Sequence, residues 1–303
     1  MAANGFLAKL GQAQRERLAH IDFRLWFLGE VSRADICARF GVAPAGATRD
    51  LALYREAAPD NIAFDGRTKT YRIGASFIPL FEHPIDRVLS SLSLGFGDGV
   101  GGGEGPMVPC EFPSPINRPA TETLARVTRA IASKSVLRVV YFSAAGGESH
   151  REILPFALVD NGLRWHIRSF DRKTSSFRDF VITRILSAEA VEGDRPGRGE
   201  GADDDAQWTR VVELELVAHP DSERPELAAL DYPMADGVLR IRARAALAGY
   251  VMRRWSVDCS PDHRLRSPEY SLWLRDSLAL YGVESAAIAP GYVPPGRIGP
   301  ARG

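Results

Sequence analysis

Residues 32–74 read SRADICARFGVAPAGATRDLALYREAAPDNIAFDGRTKTYRIG. Ser32 is a good N-cap for a short helix over Arg33–Phe40, whose apolar face carries Ile36 and Phe40 and which Gly41 stops. Val42 fills a tight turn. Pro44, favoured in a first helical turn, opens a second helix through Ala57 with Ala47, Leu51 and Tyr54 facing inward. Upstream, Arg15–Leu28 spaces Leu18, Ile21, Leu25 and Leu28 as a helix does. Downstream, Ile62–Phe64 and Thr70–Ile73 are strands joined at Asp65-Gly66, a strong hairpin signal. Three helices and a hairpin in this order predict a winged helix-turn-helix. The outward face of its second short helix starts small at Ala45 and Gly46 and then carries Thr48, Arg49, Ala52 and Arg55. Such a helix can enter a major groove, with Arg49 reaching a guanine edge or a phosphate. Arg67 and Lys69 at the hairpin tip can hold the phosphate backbone or an adjacent minor groove. The candidate DNA-binding residues are therefore Thr48, Arg49, Arg55, Arg67 and Lys69. A winged helix that only mediates protein contacts would have the same helices, but basic residues on both contact elements favour DNA.

Outward from this module, Gly95–Pro119 holds seven glycines and five prolines, too many for a helix or a central strand. No Gly-Lys-Ser/Thr follows, so it is a linker and not a phosphate loop. A second glycine-rich break at Gly193–Ala206 ends in Asp203-Asp204-Asp205, which reads as solvated charge. The tail after Ala289 reads as frayed. These breaks divide the chain into a winged helix-turn-helix over 1–94, a linker over 95–120, a second module over 121–193, a linker over 194–206 and a third module over 207–295.

In the second module Thr121–Ala132 is a helix, and Val136–Phe142, Arg151–Val159, Leu163–Ser169 and Phe177–Thr183 read as strands of a small antiparallel barrel or sheet. Alternation along Leu163–Ser169 sets Arg164, His166 and Arg168 on one face and Leu163, Trp165 and Ile167 on the other. That polar row suits an anionic ligand, and it equally suits the solvated outer face of a half-buried strand.

The runs Tyr141-Phe142-Ser143, Arg151–Pro155, Arg164–Asp171 and Phe177–Ile185 together resemble the WYL-domain transcriptional regulators, above all the subgroup controlling bacterial anti-phage defence operons such as CBASS and BREX. The defining Trp-Tyr-Leu stands here as Trp165-His166-Ile167, so only Trp165 matches literally. The resemblance implies an α+β, multidomain chain: a winged helix, a small antiparallel β-barrel of the Sm/SH3-like WYL type and a small α/β C-terminal dimerisation domain. It implies a homodimeric repressor of a palindromic operator in double-stranded DNA, released by an anionic ligand, nucleic acid or nucleotide-derived. Carried over by position, the ligand-binding residues would be Tyr141, Ser143, His166, Arg168, Phe170, Arg178 and Arg184. Arg178 and Arg184 could instead pair with Asp171 and Asp179 as structural ion pairs. A WYL accessory protein that binds single-stranded nucleic acid or a partner enzyme, without an operator, is the alternative.

In the third module Trp208–Ala218 and Val238–Ala243 read as strands, and Pro225–Leu230, Leu247–Val257 and Ser271–Leu280 as helices. Leu247, Tyr250, Val251 and Trp255 share about one helical face, and Arg253-Arg254 could touch a neighbouring sensor pocket. The whole chain has 303 residues, is 45% hydrophobic, and carries 38 basic and 38 acidic side chains. Residues 1–80 and 121–193 are each net +3, and the stretches between and after them net −3. Mildly basic modules permit nucleic acid without requiring it. Only four of the basic residues are Lys, a bias that a GC-rich genome explains as well as phosphate recognition does. No apolar run reaches the length of about 18 residues that a membrane span needs, and the N-terminus lacks a charged-then-apolar pattern, so neither a span nor secretion is expected. Cys37, Cys110 and Cys259 are far apart, which disfavours a disulfide framework or a zinc site and suggests a reducing, cytoplasmic setting. No Gly-x-Ser-x-Gly elbow or His-Glu-x-x-His motif is present, so no enzyme, metal or cofactor is expected.

Overall fold

The computed structural model describes residues 6, 10–96, 105–113, 116–266 and 268–295. The glycine run 97–104 of the first linker and the tail beyond 295 lie outside the described residues. The chain forms two compact units, Met1–Pro113 and Ser114–Gly303.

The first unit is built by helices α1 (Gln12–Leu28), α2 (Arg33–Phe40) and α3 (Pro44–Ala57), with strands β1 (Glu30–Val31), β2 (Ile62–Asp65) and β3 (Thr70–Ile73), and helix α4 (Ile85–Leu94). Local chemistry sets the helix ends. Gly29 and Gly41 close α1 and α2 in the left-handed region, at φ 80° and 64°. Ser32 and Asp35 form a reciprocal capping box on α2, and Pro44 sits in the first turn of α3. Leu18, Ile21, Leu25, Ile36, Ala47, Leu51 and Tyr54 are fully buried in one core. The strands pair in the order β1-β3-β2, so Glu30–Val31 adds a third strand that periodicity did not reveal. The hairpin turn is longer than a two-residue connection: Gly66–Lys69 form it, Asp65 Oδ1 accepts from the amides of Arg67 and Thr68 at 2.9 and 3.4 Å, and Lys69 takes φ 60°.

One polar cluster ties the segment after the hairpin to this core. The Asp22 carboxylate, fully buried on α1, accepts from the Tyr54 hydroxyl, from the amides of Leu80 and Phe81 at 3.1 and 3.3 Å, and pairs with His83 Nε2 at 2.8 Å. Asn61 extends it, donating to the Tyr54 hydroxyl at 3.1 Å and to the Ile78 carbonyl at 2.7 Å.

The second unit opens with α5 (Thr121–Ser133), followed by β4 (Leu137–Ser143), β5 (Gly147–Asp160), β6 (Trp165–Asp171), β7 (Ser176–Val181) and β8 (Ile185–Ala190). Pairing runs β7-β6-β5-β4-β8, antiparallel throughout. The two edge strands are joined only by the 3-10 turn Ile182–Arg184. The four residue steps from Val181 to Ile185 span at most about 14 Å, so the sheet must curl strongly to bring its edges that close. Its register slips between Pro155 and Ala157, where proline has no amide to give the ladder. Val127 and Ala130 of α5 pack on the concave core of Leu137, Val139, Ile153, Ile167 and Phe180.

The rest comprises α6 (Ala206–Thr209), β9 (Val211–Ala218), α7 (Glu226–Asp231), β10 (Val238–Arg244), α8 (Ala245–Arg254), β11 (Val257–Asp258) and β12 (Leu272–Leu274), with sheet order β10-β9-β12-β11. Three expectations are corrected here. Trp208 lies in α6 and the strand begins at Val211, because Asp205 caps a helical turn first. The helix expected over Ser271–Leu280 is strand β12 followed by the 3-10 turn Ser277–Leu280; Leu272 and Leu274 alternate inward and pair with Ala218 and Leu216 of β9. The inward face of α8 is Ala245, Ala248, Gly249 and Met252, while Trp255 is 53% exposed. At Gly249 a Cβ would collide with the Ser285 carbonyl, so the close approach of helix and turn requires glycine. The tail packs as far as it is described: Pro290 accepts from the Cys259 amide at 2.8 Å and the Tyr292 hydroxyl donates to Leu280 at 3.1 Å.

Candidate functional site

In the first unit, α3 keeps Ala47, Asp50, Leu51 and Tyr54 inward and so leaves Thr48, Arg49, Ala52 and Arg55 exposed along one stripe. Asp50 is held inward by Arg17 of α1, with Nε 2.6 Å from Oδ2. The Thr48 hydroxyl donates to the Pro44 carbonyl at 2.9 Å, which occupies its proton but leaves oxygen lone pairs outward. Arg67 and Lys69 are exposed on the wing. None of Arg49, Arg55, Arg67 and Lys69 forms an ion pair with a described residue, so their charge is available to phosphate or base edges.

In the second unit the row on β6 is not the solvated face of a half-buried strand. His166 and Arg168 are each 4% exposed, covered by α8 and the start of α6, while Trp165 on the opposite face is 42% exposed. Of Leu163, Trp165 and Ile167 on that opposite face, Ile167 is fully in the core.

The row splits between two cavities that share Tyr250 and Ile288 as walls. The first, of about 390 Å³, is lined by Asn161–Arg164, His166, Arg253 and Arg254. Gly162, at φ 84°, carries the Arg254 side chain against it, so the arginine expected to reach a neighbouring pocket belongs to the pocket of its own chain. Arg164, Arg184, Arg253 and Arg254 form no ion pair among the described residues. His166 Nδ1 and Arg164 Nε are buried without a hydrogen-bond partner. Burial and then the charges of Arg164 and Arg184 push the His166 imidazole down to about 4, leaving it neutral at physiological pH. A cavity rimmed by unpaired guanidiniums around a neutral, under-bonded imidazole has the chemistry to receive an anion with hydrogen-bonding groups.

The second cavity, of about 560 Å³, is lined by Arg168, Ser176–Asp179, Ala246, Tyr250 and Glu284–Ser285. Here Arg168 is occupied. Its Nε and Nη2 lie 2.7 and 3.2 Å from the Asp205 carboxylate and its Nη1 lies 3.3 Å from Asp179. Burial works against its charge, yet the two carboxylates hold its pKa above the ordinary value. Burial likewise raises the Asp179 carboxyl in spite of Arg168, and the Tyr250 hydroxyl, which burial and Asp179 push up to about 12, donates to Asp179 at 3.2 Å.

Of the remaining expected site residues, Arg178 lines the second cavity with Arg168, and Tyr141, Ser143 and Phe170 line neither. Tyr141 is 7% exposed and its hydroxyl accepts from the Val181 amide at 3.3 Å, a core role. Ser143 closes the β4–β5 turn by accepting from the Gly146 amide at 3.0 Å. Phe170 packs on Phe177 at 5.1 Å. Arg178 is exposed, with Nε on the Ser176 hydroxyl at 3.1 Å. The alternative pairing of Arg178 and Arg184 with Asp171 and Asp179 is not found: Asp171 pairs with Arg151 at 2.5 Å and Asp179 with Arg168. The acidic connector is also not simply solvated. Asp194 and Glu200 clamp Arg172 at 2.5 and 3.0 Å, and Asp205 is 1% exposed. Only one signal could have exposed Asp205 in the sequence: an aspartate three residues before Trp208 at the mouth of a helical turn.

Three family descriptions match in chain order. The BrxR transcriptional regulator winged helix-turn-helix domain covers residues 13–93, the WYL domain 122–190 and the BrxR transcriptional regulator C-terminal dimerization domain 211–280. Together they define a WYL-type transcriptional regulator. Among curated proteins, the DNA-binding transcriptional repressor CapW of Stenotrophomonas maltophilia is 31% identical, over 83% of this chain and 86% of the relative. CapW of Escherichia coli is 29% identical over 83% and 85%, and CapW of Pseudomonas aeruginosa 29% over 84% and 86%. The chain belongs to this family of DNA-binding transcriptional repressors.

Proposed function

We propose that the protein is a homodimeric, sequence-specific repressor of an anti-phage defence operon, released when an anionic ligand enters the basic cavity around His166. The observation that carries the DNA half of this reading is the exposed, unpaired stripe of Arg49 and Arg55 on α3 with Arg67 and Lys69 on the wing. Those are the two elements by which a winged helix-turn-helix meets a major groove and its flanking backbone. The ligand half is supported by the unpaired arginines and the under-bonded imidazole of the 390 Å³ cavity. Two heads related by two-fold symmetry require a palindromic operator, with half-sites one or more helical turns apart. By linkage the ligand must bind the DNA-free form more tightly than the DNA-bound form. Among the described residues no helix is long and apolar enough to cross a membrane, as such a reading requires.

The testing experiment is fluorescence anisotropy on the duplex upstream of the gene against a scrambled duplex, over a salt series. Binding that survives scrambled competitor at two protomers per site is the expected result. Equal binding to both duplexes that collapses with salt would leave phosphate contacts alone and favour the single-strand accessory reading. Arg49→Ala is expected to weaken operator binding by about 1–3 kcal/mol while leaving scrambled binding nearly unchanged. Equal weakening on both duplexes would assign Arg49 to phosphate. His166→Ala is expected to keep operator binding and to hold a reporter of the promoter shut during phage challenge, when wild type opens it. Loss of operator binding in the soluble dimer would remove His166 from ligand sensing.

A further inference from the structure

Arg168 differs from every other arginine of the sensing region: it is buried, and both of its carboxylate partners come from outside its own strand. Asp179 belongs to β7 of the curled sheet. Asp205 belongs to the connector that leads into the C-terminal module, and its Oδ1 also accepts from the Gln207 and Trp208 amides at 3.0 and 3.2 Å, so the same carboxylate caps α6. Tyr250 of α8 completes the ring through Asp179. Four side chains thus connect the sheet to α6, which directly precedes the matched dimerization domain at 211–280, and to α8 within it.

The ring lies beside the basic cavity. Tyr250 walls both cavities, and its ring centroid is 5.5 Å from that of His166. Any occupant that displaces Tyr250 therefore acts directly on the hydrogen bond to Asp179. The energetics suit a device that opens. A buried ion pair returns little net stability over what its desolvation costs, so held and released arrangements lie close in free energy. A few kilocalories of ligand binding can then choose between them.

The geometry points to Arg168, Asp179, Asp205 and Tyr250 as a latch that fixes the dimerization module on the WYL sheet in the DNA-binding form, with Tyr250 as the point where an occupant of the basic cavity opens it. This rests on the repressor reading for its effect on DNA, but the latch itself is a property of the second unit. It also separates two arginines four residues apart on the same face, with His166 between them: Arg164 is free for ligand, and Arg168 is the bolt.

The test uses the full-length protein and two mild variants, because Arg168→Ala endangers folding. Tyr250→Phe removes one hydrogen bond, and Asp179→Asn removes one charge while keeping shape. Hydrogen–deuterium exchange of peptides covering 206–210 and 245–254 reads the latch, and anisotropy on the upstream duplex reads its consequence. Both variants are expected to stay dimeric, to exchange those amides roughly tenfold faster and to bind the operator roughly tenfold more weakly, within the usual range of a coupling between sites. Unchanged exchange in both variants would overturn the latch. Faster exchange with unchanged operator affinity would make it a structural clamp and overturn the coupling. If wild type itself shows no operator preference, the repressor reading fails, and the exchange data alone decide whether the latch exists.

Discussion

Replacing Asp22 with alanine is expected to cost the first unit about 3–5 kcal/mol, the loss typical of removing one partner from a buried, hydrogen-bonded ionic cluster. Asp22 is fully buried and its carboxylate serves the Tyr54 hydroxyl, the Leu80 and Phe81 amides and His83. Alanine leaves all these donors in the interior with no water to receive them, and each orphaned donor is penalised on its own. Asp22→Asn should fall between, since one side-chain oxygen still accepts while the new NH2 faces donors. Trp26 is the one of the chain's five tryptophans that lies within residues 1–113, and its ring is 5.6 Å from that of His83, so the first unit's share of the fluorescence change is its own. Urea unfolding followed through Trp26 should show an earlier midpoint with an unchanged slope. A loss below about 1 kcal/mol, the net value of one ordinary hydrogen bond, would mean that the cluster is solvated and not buried.

The second large effect is expected at Asp205→Ala. Two contributions add here: the Arg168 guanidinium loses its bidentate partner in a nearly closed site, and α6 loses its N-cap. Breaking a buried pair costs about 3–5 kcal/mol, but Asp179 still holds Nη1, which argues for the lower end. The cap adds about 1 kcal/mol. A total near 4 kcal/mol should appear in urea unfolding of the second unit, with Trp208 as the nearby reporter. Asp205→Asn separates the parts, because asparagine caps as well as aspartate and loses only the charge. If asparagine and alanine cost the same, the cap contributes nothing.

What the sequence disclosed and what it withheld follow from range. The short helices were readable because Ser32, Asp35, Gly41 and Pro44 act on backbone groups within a turn of themselves. The exposed stripe of α3 was readable because periodicity alone decides which side of the helix faces Leu18 and Leu25. Asp205 was unreadable because its burial is imposed from 37 positions away by Arg168, and an aspartate beside Asp203 and Asp204 otherwise reads as solvated. The polar face of β6 hid its role for the same reason: alternation reports which residues share a side, not what later covers it. Helix α8 misled because its buried side is made of Ala245, Ala248 and Gly249, small residues chosen for close approach, while the large Trp255 stands out in solvent. At Ser271–Leu280 a leucine-rich run favours a helix by composition, and only the edge of β9 that it pairs with makes Leu272–Leu274 a strand.

The packed tail has a consequence for how the protein is made. Val283, Ala286 and Ala289 belong to the C-terminal core and Tyr292 packs against it, so that core cannot close until residues near 292 have left the ribosome. The first unit is complete some 200 residues earlier, an interval of roughly 10–40 s at bacterial rates of synthesis. During that time the nascent chain carries a finished winged-helix head while the module that matches a dimerization domain is incomplete. A single head gains nothing from a second half-site, so its hold on DNA is weak. On the proposed homodimeric reading, operator occupancy therefore waits until that core is made, and a chain cut short before about residue 289 would compete for neither partner nor operator.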